Sequence, residues 1–352
     1  MRTAHSLIAM ALAVIGGGLG LPSHAELLAE SPRNGVTQIF LMADDGSGLK
    51  ALTQGAKDSA NASWSPDGRQ IAFVSTREGS PAVYLMAADG SNQRRVSMRG
   101  ATVNGRPVWS PDGHLLAYPT HGADLQGIVV LELASGSQSS VNKQVLSTAH
   151  LTWSPDAKEI FYTAAVPEKR GENQLLALNI KTGLSRLVLS GNKGVIADLT
   201  WSPDGQRMAY TRAAGRDGTN IHVASKDGSQ SKALTTGILL SSTPRWSPDG
   251  RWILYESNAH SGERSDVFIV PSEGGTVRNL SNHAQEDFDA QWATNGKSIV
   301  FSSFRDGYSH IYHSTLDGVV TRVGKDTQYL GAARPHPVKD ATMASMTAKP
   351  QP

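Results

Sequence analysis

The chain of 352 residues contains no cysteine. This absence excludes disulfide bonds, thiolate metal ligands, a cysteine nucleophile and a cysteine-linked lipid anchor. Excess charge is also missing, because 33 Lys and Arg residues stand against 31 Asp and Glu residues. Binding to nucleic acid requires a clustered basic excess, so the composition argues against such a partner. Stability must therefore come from the packing of side chains.

Long apolar runs are almost absent as well. One run of about 15 residues, from Leu7 to Leu21, follows Arg2 and precedes Ser23-His24-Ala25. It is shorter than the roughly 20 residues of a membrane-spanning helix. A basic start, an apolar middle and small residues at a cleavage site are typical of a signal peptide. We therefore expect residues 1–25 to be a signal peptide cut after Ala25, which predicts a periplasmic protein without a membrane span.

The rest of the sequence is a repeat of about 45 residues. Six variants of Trp-Ser-Pro-Asp-Gly occur at spacings of 45, 44, 48, 45 and 46, and each tryptophan is followed nine positions later by an aromatic residue. The tryptophans are Trp64, Trp109, Trp153, Trp201, Trp246 and Trp292, and the aromatic residues are Phe73, Tyr118, Tyr162, Tyr210, Tyr255 and Phe301. A period this regular indicates a repeat architecture.

Each repeat can be read as four short antiparallel strands. The tryptophan ends the innermost strand, and Ser-Pro-Asp-Gly forms a tight turn into a β-rich second strand. A second turn, between strands three and four, is marked by Gly46, Gly90, Gly136, Gly183, Gly228, Gly274 and Gly318. We expect the Trp and Tyr/Phe positions to be core residues between neighbouring blades. The Asp of each Pro-Asp-Gly is expected to be a turn residue rather than a metal ligand.

The seven glycine turns and six tryptophan turns leave one repeat incomplete at each end of the chain. Residues 28–35 align with residues 72–79 and supply a second strand and its loop. Residues 334–337 follow Trp292 by about 43 positions and resemble residues 245–248, with Pro335 in place of Trp. Sharing one blade between the two ends would close the ring and remove open sheet edges. The prediction is an all-β, seven-bladed propeller over residues 26–338, with six blades as the alternative and a disordered tail at 339–352.

Trp-Ser-Pro-Asp-Gly, the strand Val83–Met86 and Asp89-Gly90-Ser91 together resemble the repeat of the TolB-like family of WD40-like (PD40) propellers. The resemblance covers nearly all of residues 26–338 and implies the propeller fold. Similar repeats occur in prolyl-oligopeptidase-type peptidases and oligogalacturonate lyases, so function does not follow from fold. The separate α/β domain and six blades of TolB are not expected here, and the G-x-S-x-G motif of the peptidases does not occur.

Loops between strands two and three, and linkers to the next inner strand, should emerge on one face. These segments, at 119–127, 165–173, 211–219, 257–266 and 281–289, vary in length and charge, as recognition loops do. An arginine recurs in the loops, as Arg33, Arg77, Arg170, Arg216, Arg264 and Arg305. It can stabilise its own loop, or form a ring of cations that meets an acidic partner. The acidic cluster with Asp287 and Asp289 could bind a basic partner or simply be solvated.

The histidines show no spacing of a dedicated metal site. His310 and His313 are three apart on a predicted strand and should face opposite sides. Ligands from different blades could still converge, as the resemblance to oligogalacturonate lyases implies, and this leaves a metal-dependent polysaccharide enzyme as the alternative. The predicted function is a non-enzymatic, monomeric binding scaffold without cofactor, whose loop face and channel meet a protein, peptide or other component of the cell envelope.

Overall fold

The computed structural model describes residues 26–121, 127–142, 151–166, 169, 171–191, 194–213, 218–237, 239–324, 331–335 and 337. The expected signal peptide and C-terminal tail lie outside these residues. All regular structure in the described ranges is β, arranged as seven antiparallel sheets. The same ranges hold no helical segment of the length and apolarity that a bilayer crossing requires. The predicted all-β, seven-bladed propeller is confirmed.

Each blade contains four strand positions, counted outwards from the channel. Blade 1 contains β1 (Glu26–Arg33), β2 (Val36–Ala43) and β3 (Lys50–Ala51). Blade 2 contains β4 (Ser59–Trp64), β5 (Gln70–Ser75), β6 (Ala82–Ala87) and β7 (Arg94–Arg95). Blade 3 contains β8 (Thr102–Val103), β9 (Val108–Trp109), β10 (Leu115–His121), β11 (Gly127–Glu132) and β12 (Gln138–Asn142). Blade 4 contains β13 (Leu151–Trp153), β14 (Glu159–Ala165), β15 (Asn173–Asn179) and β16 (Ser185–Ser190).

Blade 5 contains β17 (Val195–Trp201), β18 (Arg207–Ala213), β19 (Thr219–Ser225) and β20 (Lys232–Ala233). Blade 6 contains β21 (Ser241–Trp246), β22 (Trp252–Ser257), β23 (Asp266–Pro271) and β24 (Arg278–Asn279). Blade 7 contains β25 (Asp287–Trp292), β26 (Ser298–Ser303), β27 (His310–Thr315) and β28 (Val320–Arg322). The last strand, β29 (Gly331–Pro335), returns to blade 1 as its inner strand.

The ring closes as the partial repeats predict. β29 pairs antiparallel with β1, with Leu27 opposite Pro335 and Leu28 opposite Arg334. On the outer side, the amide of Gly324 donates to the carbonyl of Asp45, which ties the end of blade 7 to the glycine turn of blade 1. The two ends of the propeller therefore complete one blade, so the inner edge of β1 is paired rather than open.

The core lies in the wedges between neighbouring blades. All six recurrent aromatic residues are at most 3% exposed, and four of the six tryptophans, Trp64, Trp153, Trp246 and Trp292, are at most 8% exposed. Leu28 and Ile39 of blade 1 pack in one cluster with Trp64 and Phe73 of blade 2. These positions are core, as predicted. Trp109 and Trp201 differ, since they are half-buried beside the channel.

The turn after each inner strand is stabilised by hydrogen bonds from its own side chains. In the first copy, Ser65 Oγ donates to Asp67 Oδ1 at 2.6 Å and accepts from the amide of Gln70 at 2.9 Å. The equivalent bond from Ser202 to Asp204 is 2.5 Å and holds the pKa of Asp204 below its usual value. The aspartates are therefore turn residues, as predicted from the motif.

Candidate functional site

The two ends of the channel axis differ in how the connections between strands are built. At one end the tryptophan and glycine turns bond to each other, for example from the amide of Ala88 to the carbonyl of Arg69 at 3.0 Å. At the other end the loops between strands two and three contact the linkers to the inner strands. Here the amide of Thr76 donates to the carbonyl of Asp58 at 3.0 Å. We call these ends the turn face and the loop face.

Arg77 and Arg305 occupy equivalent loops and have the same geometry. Arg77 Nε donates to Ser75 Oγ at 3.1 Å, and its guanidinium lies 4.6 Å from the Tyr84 ring centroid. Arg305 Nε donates to Ser303 Oγ at 3.0 Å, and its guanidinium lies 4.7 Å from the centroid of the Tyr312 ring. Both side chains are therefore engaged within their own blade. This geometry is that of a loop-stabilising residue, one of the two readings of the recurrent arginine.

Arg264 lies in a different environment, exposed on the loop between β22 and β23. Its Nη1 donates to the carbonyl of Ala284 at 2.5 Å and so joins this loop to the linker before β25. Two exposed apolar side chains share the loop face, Leu240 at 58% and Tyr308 at 68% exposure. Of the other three predicted arginines, Arg33 is half-buried with its guanidinium 5.1 Å from the centroid of the Phe40 ring, and Arg170 and Arg216 lie outside the described residues.

The acidic cluster is divided by the strand that carries it. Glu286 is exposed, whereas Asp287 is fully buried and bonds through both carboxylate oxygens to Arg305 Nη2, at 3.1 and 3.2 Å. Burial raises the pKa of Asp287. Asp289 is half-buried and close enough to two channel-lining arginines, Arg106 and Arg245, to interact with their charges. The cluster is therefore not one solvated acidic patch.

The histidines occupy separate places in the described chain. His260 Nδ1 lies 2.8 Å from Asp266 Oδ2 on the loop face, and His310 Nδ1 lies 3.2 Å from Arg322 Nη2. Within the described ranges, no three His, Asp or Glu side chains are grouped so that they could hold a metal ion. His150 and His336 lie outside those ranges.

The channel wall is shaped by bulges in the inner strands. In blades 2, 5, 6 and 7, two residues of the inner strand oppose one residue of the next strand, and the first of the two has a positive φ. These residues are Asn61, Asp198, Thr243 and Asp289, with φ of 57°, 53°, 51° and 54°. A bulge re-aims the side chain that it carries. Left-handed backbone is a strained conformation for a β-branched residue such as Thr243.

Two of the four bulges, those of blades 2 and 7, are held by a carboxylate from the preceding blade. Glu30 of blade 1 accepts the amide of Ala62 at 2.9 Å, and Glu256 of blade 6 accepts the amide of Ala290 at 3.0 Å. Burial raises the pKa of Glu256. These acids satisfy backbone donors that the bulge removes from the sheet ladder, which a buried amide requires.

Three arginines line the channel. Arg245 and Arg334 occupy equivalent positions on β21 and β29, and Arg106 lies where the inner strand of blade 3 is interrupted between β8 and β9. All three border one cavity of about 530 Å³, which we call the inner cavity. A second cavity of about 710 Å³ shares Arg106 and Arg334 with it and lies towards the turn face, among the tryptophans and prolines of four blades.

Burial lowers the pKa of two of these arginines, Arg106 and Arg245. Burial, and then the nearby charge of Arg334, lowers the pKa of Arg106 to about 10. The same two causes lower the pKa of Arg245 to about 10. Both guanidinium groups remain charged at neutral pH. This group is not evident in the sequence, because its members come from three separate repeats. The available signal was the arginine directly before the tryptophan or its replacement, at 245 and 334.

The sequence matches the family model described as "TolB beta propeller domain" over residues 21–169 and 142–329. A relative is the Tol-Pal system protein TolB of Francisella tularensis subsp. mediasiatica (strain FSC147). It is 27% identical over 210 residues, which cover 58% of this chain and 46% of that protein. The chain spans less than half the length of the curated relatives that it matches, which include a dipeptidyl-peptidase 5 of Porphyromonas endodontalis (strain ATCC 35406) at 33% identity over 20% of this chain and 10% of that protein.

Solved structures share the fold at low identity. TolB of Acinetobacter baumannii superposes with a TM-score of 0.57 at 17% identity, covering 89% of this chain and 66% of that chain. An oligogalacturonate lyase in complex with manganese superposes with a TM-score of 0.62 at 16% identity, covering 87% and 86%. Likeness at this level concerns the fold alone. The family match and the repeat geometry together show that the chain belongs to the TolB β-propeller family.

Proposed function

We propose that this protein is an exported, periplasmic binding scaffold whose loop face and channel bind a protein or peptide partner of the cell envelope. The observation that carries the proposal is the contrast between the two faces. On the turn face, Ser and Asp side chains are consumed by hydrogen bonds inside each turn. On the loop face, the connections differ in length and charge from blade to blade, as expected where a rigid scaffold presents variable loops.

Three exposed side chains lie on the loop face of blades 6 and 7, and we call them the loop-face patch: Leu240, Arg264 and Tyr308. The loops and linkers that carry it are joined by hydrogen bonds to backbone carbonyls. The amide of Asn258 donates to the carbonyl of Leu240 at 3.2 Å, and Arg264 bonds to Ala284. Arg305, at the start of the Tyr308 loop, reaches the carbonyl of Ser281 at 3.4 Å. An aromatic residue, an aliphatic residue and an arginine together are a composition enriched at protein interfaces.

The test is affinity capture from a periplasmic extract with the immobilised mature protein. The loop-face variant carries Arg264→Glu and Tyr308→Ala, and the matched control carries Lys181→Glu and Lys226→Glu, both exposed beside glycine turns on the turn face. Each is expected to change the free energy of unfolding by about 0.5 kcal/mol or less, because all four side chains are exposed. We expect a partner that the parent and control retain and the loop-face variant loses, with weaker capture at high salt. Loss from the control alone would reverse the assignment of faces.

The enzymatic alternative predicts a different result. Metal analysis of the purified protein, together with an eliminase assay on oligogalacturonate, tests it directly. Bound metal in stoichiometric amount with turnover would favour an enzyme over a scaffold. The predicted candidates Arg170 and Arg216 stay predictions, to be tested by the same capture assay with single charge reversals.

A further inference from the structure

The channel arginines, Arg106, Arg245 and Arg334, border one cavity together and differ from the arginines of the described chain that form ion pairs. Those with a carboxylate within 4.0 Å include Arg95, Arg186, Arg207, Arg251, Arg305 and Arg322. None of the ion pairs among the described residues includes a channel arginine. Three half-buried cations therefore border one cavity without a paired acid, although burying an unpaired charge is costly.

Other protein groups satisfy these arginines only in part. Arg245 Nε donates to the carbonyl of Ala290 at 3.0 Å, whereas the buried Nε of Arg334 has no hydrogen-bond partner in the described chain. The three guanidinium groups also repel one another, since Arg334 and Arg245 both act on Arg106. Mutual repulsion of like charges disfavours the charged form of these arginines. Such strain is expected where a fold is kept for binding rather than for stability.

Four acids, Glu30, Asp198, Glu256 and Asp289, lie close enough to these arginines to act on their charge. Glu30 and Glu256 are bonded to backbone amides of the neighbouring inner strands, and burial favours the neutral form of Glu256. Asp198 Oδ2 lies 3.4 Å from both Thr211 Oγ1 and the amide of Thr243. These carboxylates lower the potential at the arginines but leave the guanidinium forks without a bidentate partner.

We propose that the inner cavity binds an oxyanion group, a carboxylate or a phosphate, held by the guanidinium groups of Arg106, Arg245 and Arg334. Guanidinium groups match both anions because each presents planar, paired N–H donors. The volume of about 530 Å³ is within the range of small-molecule sites. A ligand can reach it through the adjoining cavity towards the turn face, which shares two of the arginines. The site goes beyond the proposed scaffold function, because it does not depend on a partner at the loop face.

The first experiment titrates the mature protein with inorganic phosphate and, separately, with citrate, and follows the melting temperature and the heat of binding. Sodium chloride at equal ionic strength is the control for screening. A ligand that binds only the folded state raises the melting temperature as its concentration rises. We expect phosphate, citrate or both to raise the melting temperature more than chloride does. The anion with the larger effect identifies the carboxylate or the phosphate as the preferred group. Equal effects of all three salts would overturn the proposal.

Variants then assign the site. The double variant Arg245→Gln with Arg334→Gln removes two guanidinium groups and should lower the affinity for the preferred anion by about tenfold or more. Without anion, this variant should melt at or above the parent temperature, because it removes repelling buried charges. The matched control is Arg69→Gln, which deletes an exposed guanidinium on the turn face and should bind the anion like the parent.

A second variant keeps the test decisive if the double variant does not fold. Arg106→Gln alone lies in the interruption of an inner strand, where no ladder bond depends on it. This variant should bind the anion more weakly in calorimetric titration, whereas its capture of any loop-face partner should be unchanged. Parent-like anion affinity in Arg106→Gln and in the double variant would place the binding elsewhere and refute the site. Failure of the loop-face capture experiment would leave this result unaffected.

Discussion

The indole N–H of Trp64 donates to the carbonyl oxygen of Arg334 at 3.3 Å, across 270 positions of sequence. The same bond links other neighbouring blades, for example from Trp153 to the carbonyl of Val108 at 3.0 Å. The recurrent tryptophan therefore does more than fill the wedge, since it joins the inner strand of its own blade to that of the blade before. At Trp64 this bond seals the ring.

Removing the closing strand should destabilise the whole propeller. A chain that ends at Leu330 lacks β29, which leaves the inner edge of β1 unpaired and Trp64 without this acceptor. We expect a loss of several kcal/mol from a total of roughly 5 to 15 kcal/mol, measured by urea denaturation. A chain that ends at Asp340 retains β29 and is the control, with stability like that of the parent. Equal melting temperatures for all three chains would refute closure by β29.

Two tryptophans at equivalent positions should respond differently to substitution. Trp153 is 3% exposed and hydrogen-bonded, whereas the indole nitrogen of Trp201 has no partner in the described chain and its ring packs edge-on against Phe161. Trp153→Ala should cost about 3 to 5 kcal/mol. Trp153→Phe should cost about 1 kcal/mol more than Trp201→Phe, because only the first loses a hydrogen bond. Chemical denaturation of the three variants measures these costs, and an equal cost for the two Phe variants would contradict the bonding pattern.

The glycine turns should tolerate alanine unequally. Gly46 and Gly136 both have positive φ, of 82° and 72°. A Cβ at Gly46 would lie 2.5 Å from the amide nitrogen of Gly324, whereas nothing lies within 4 Å of one at Gly136. Gly136→Ala should cost about 1 to 2 kcal/mol for its backbone conformation. Gly46→Ala should cost about 1 to 3 kcal/mol beyond that, because the joint between blades 7 and 1 must move. Thermal and urea unfolding compare the two, and identical costs would argue against this close approach.

The buried pair of Arg305 and Asp287 should be structural. Arg305→Met leaves the fully buried Asp287 without its partner, which should cost about 3 to 5 kcal/mol at pH 7. The control, Arg186→Met, removes the exposed partner of Glu159 and should cost about 1 kcal/mol or less. A similar loss in both variants would mean that the buried pair contributes no more than a surface pair.

The cost of Arg305→Met should depend on pH. Burial already raises the pKa of Asp287 in the folded protein, and loss of the arginine charge should raise it further. A raised folded pKa favours folding below the unfolded value of about 3.9, and this contribution is lost as the pH rises through the folded pKa. The difference between variant and parent should therefore shrink from pH 7 towards pH 4, as followed by urea titrations at several pH values. A difference that grows towards pH 4 would contradict the assignment.

The repeat, the turns and the ring closure could be predicted from the sequence because each depends on local chemistry. Pro, Asp and Gly prescribe the turn after every inner strand, and an aromatic residue nine positions beyond each tryptophan marks the same buried place. The closure at 334–337 was predictable as well, since a strand repeats its neighbours' pattern even where Pro335 replaces Trp. These are properties of one repeat, or of one repeat compared with the next.

Only the tertiary structure determines which charged residues lie together in the channel and in the buried ion pair. Arg106, Arg245 and Arg334 are far apart in the sequence and meet only because the ring brings one side of every inner strand to a common channel. Asp287 and Asp289 read as one acidic cluster, yet the pleat buries the first beside Arg305 and the bulge directs the second towards the channel arginines. Spacing along a chain specifies strands and turns, whereas the charges that face each other depend on how seven sheets close around an axis.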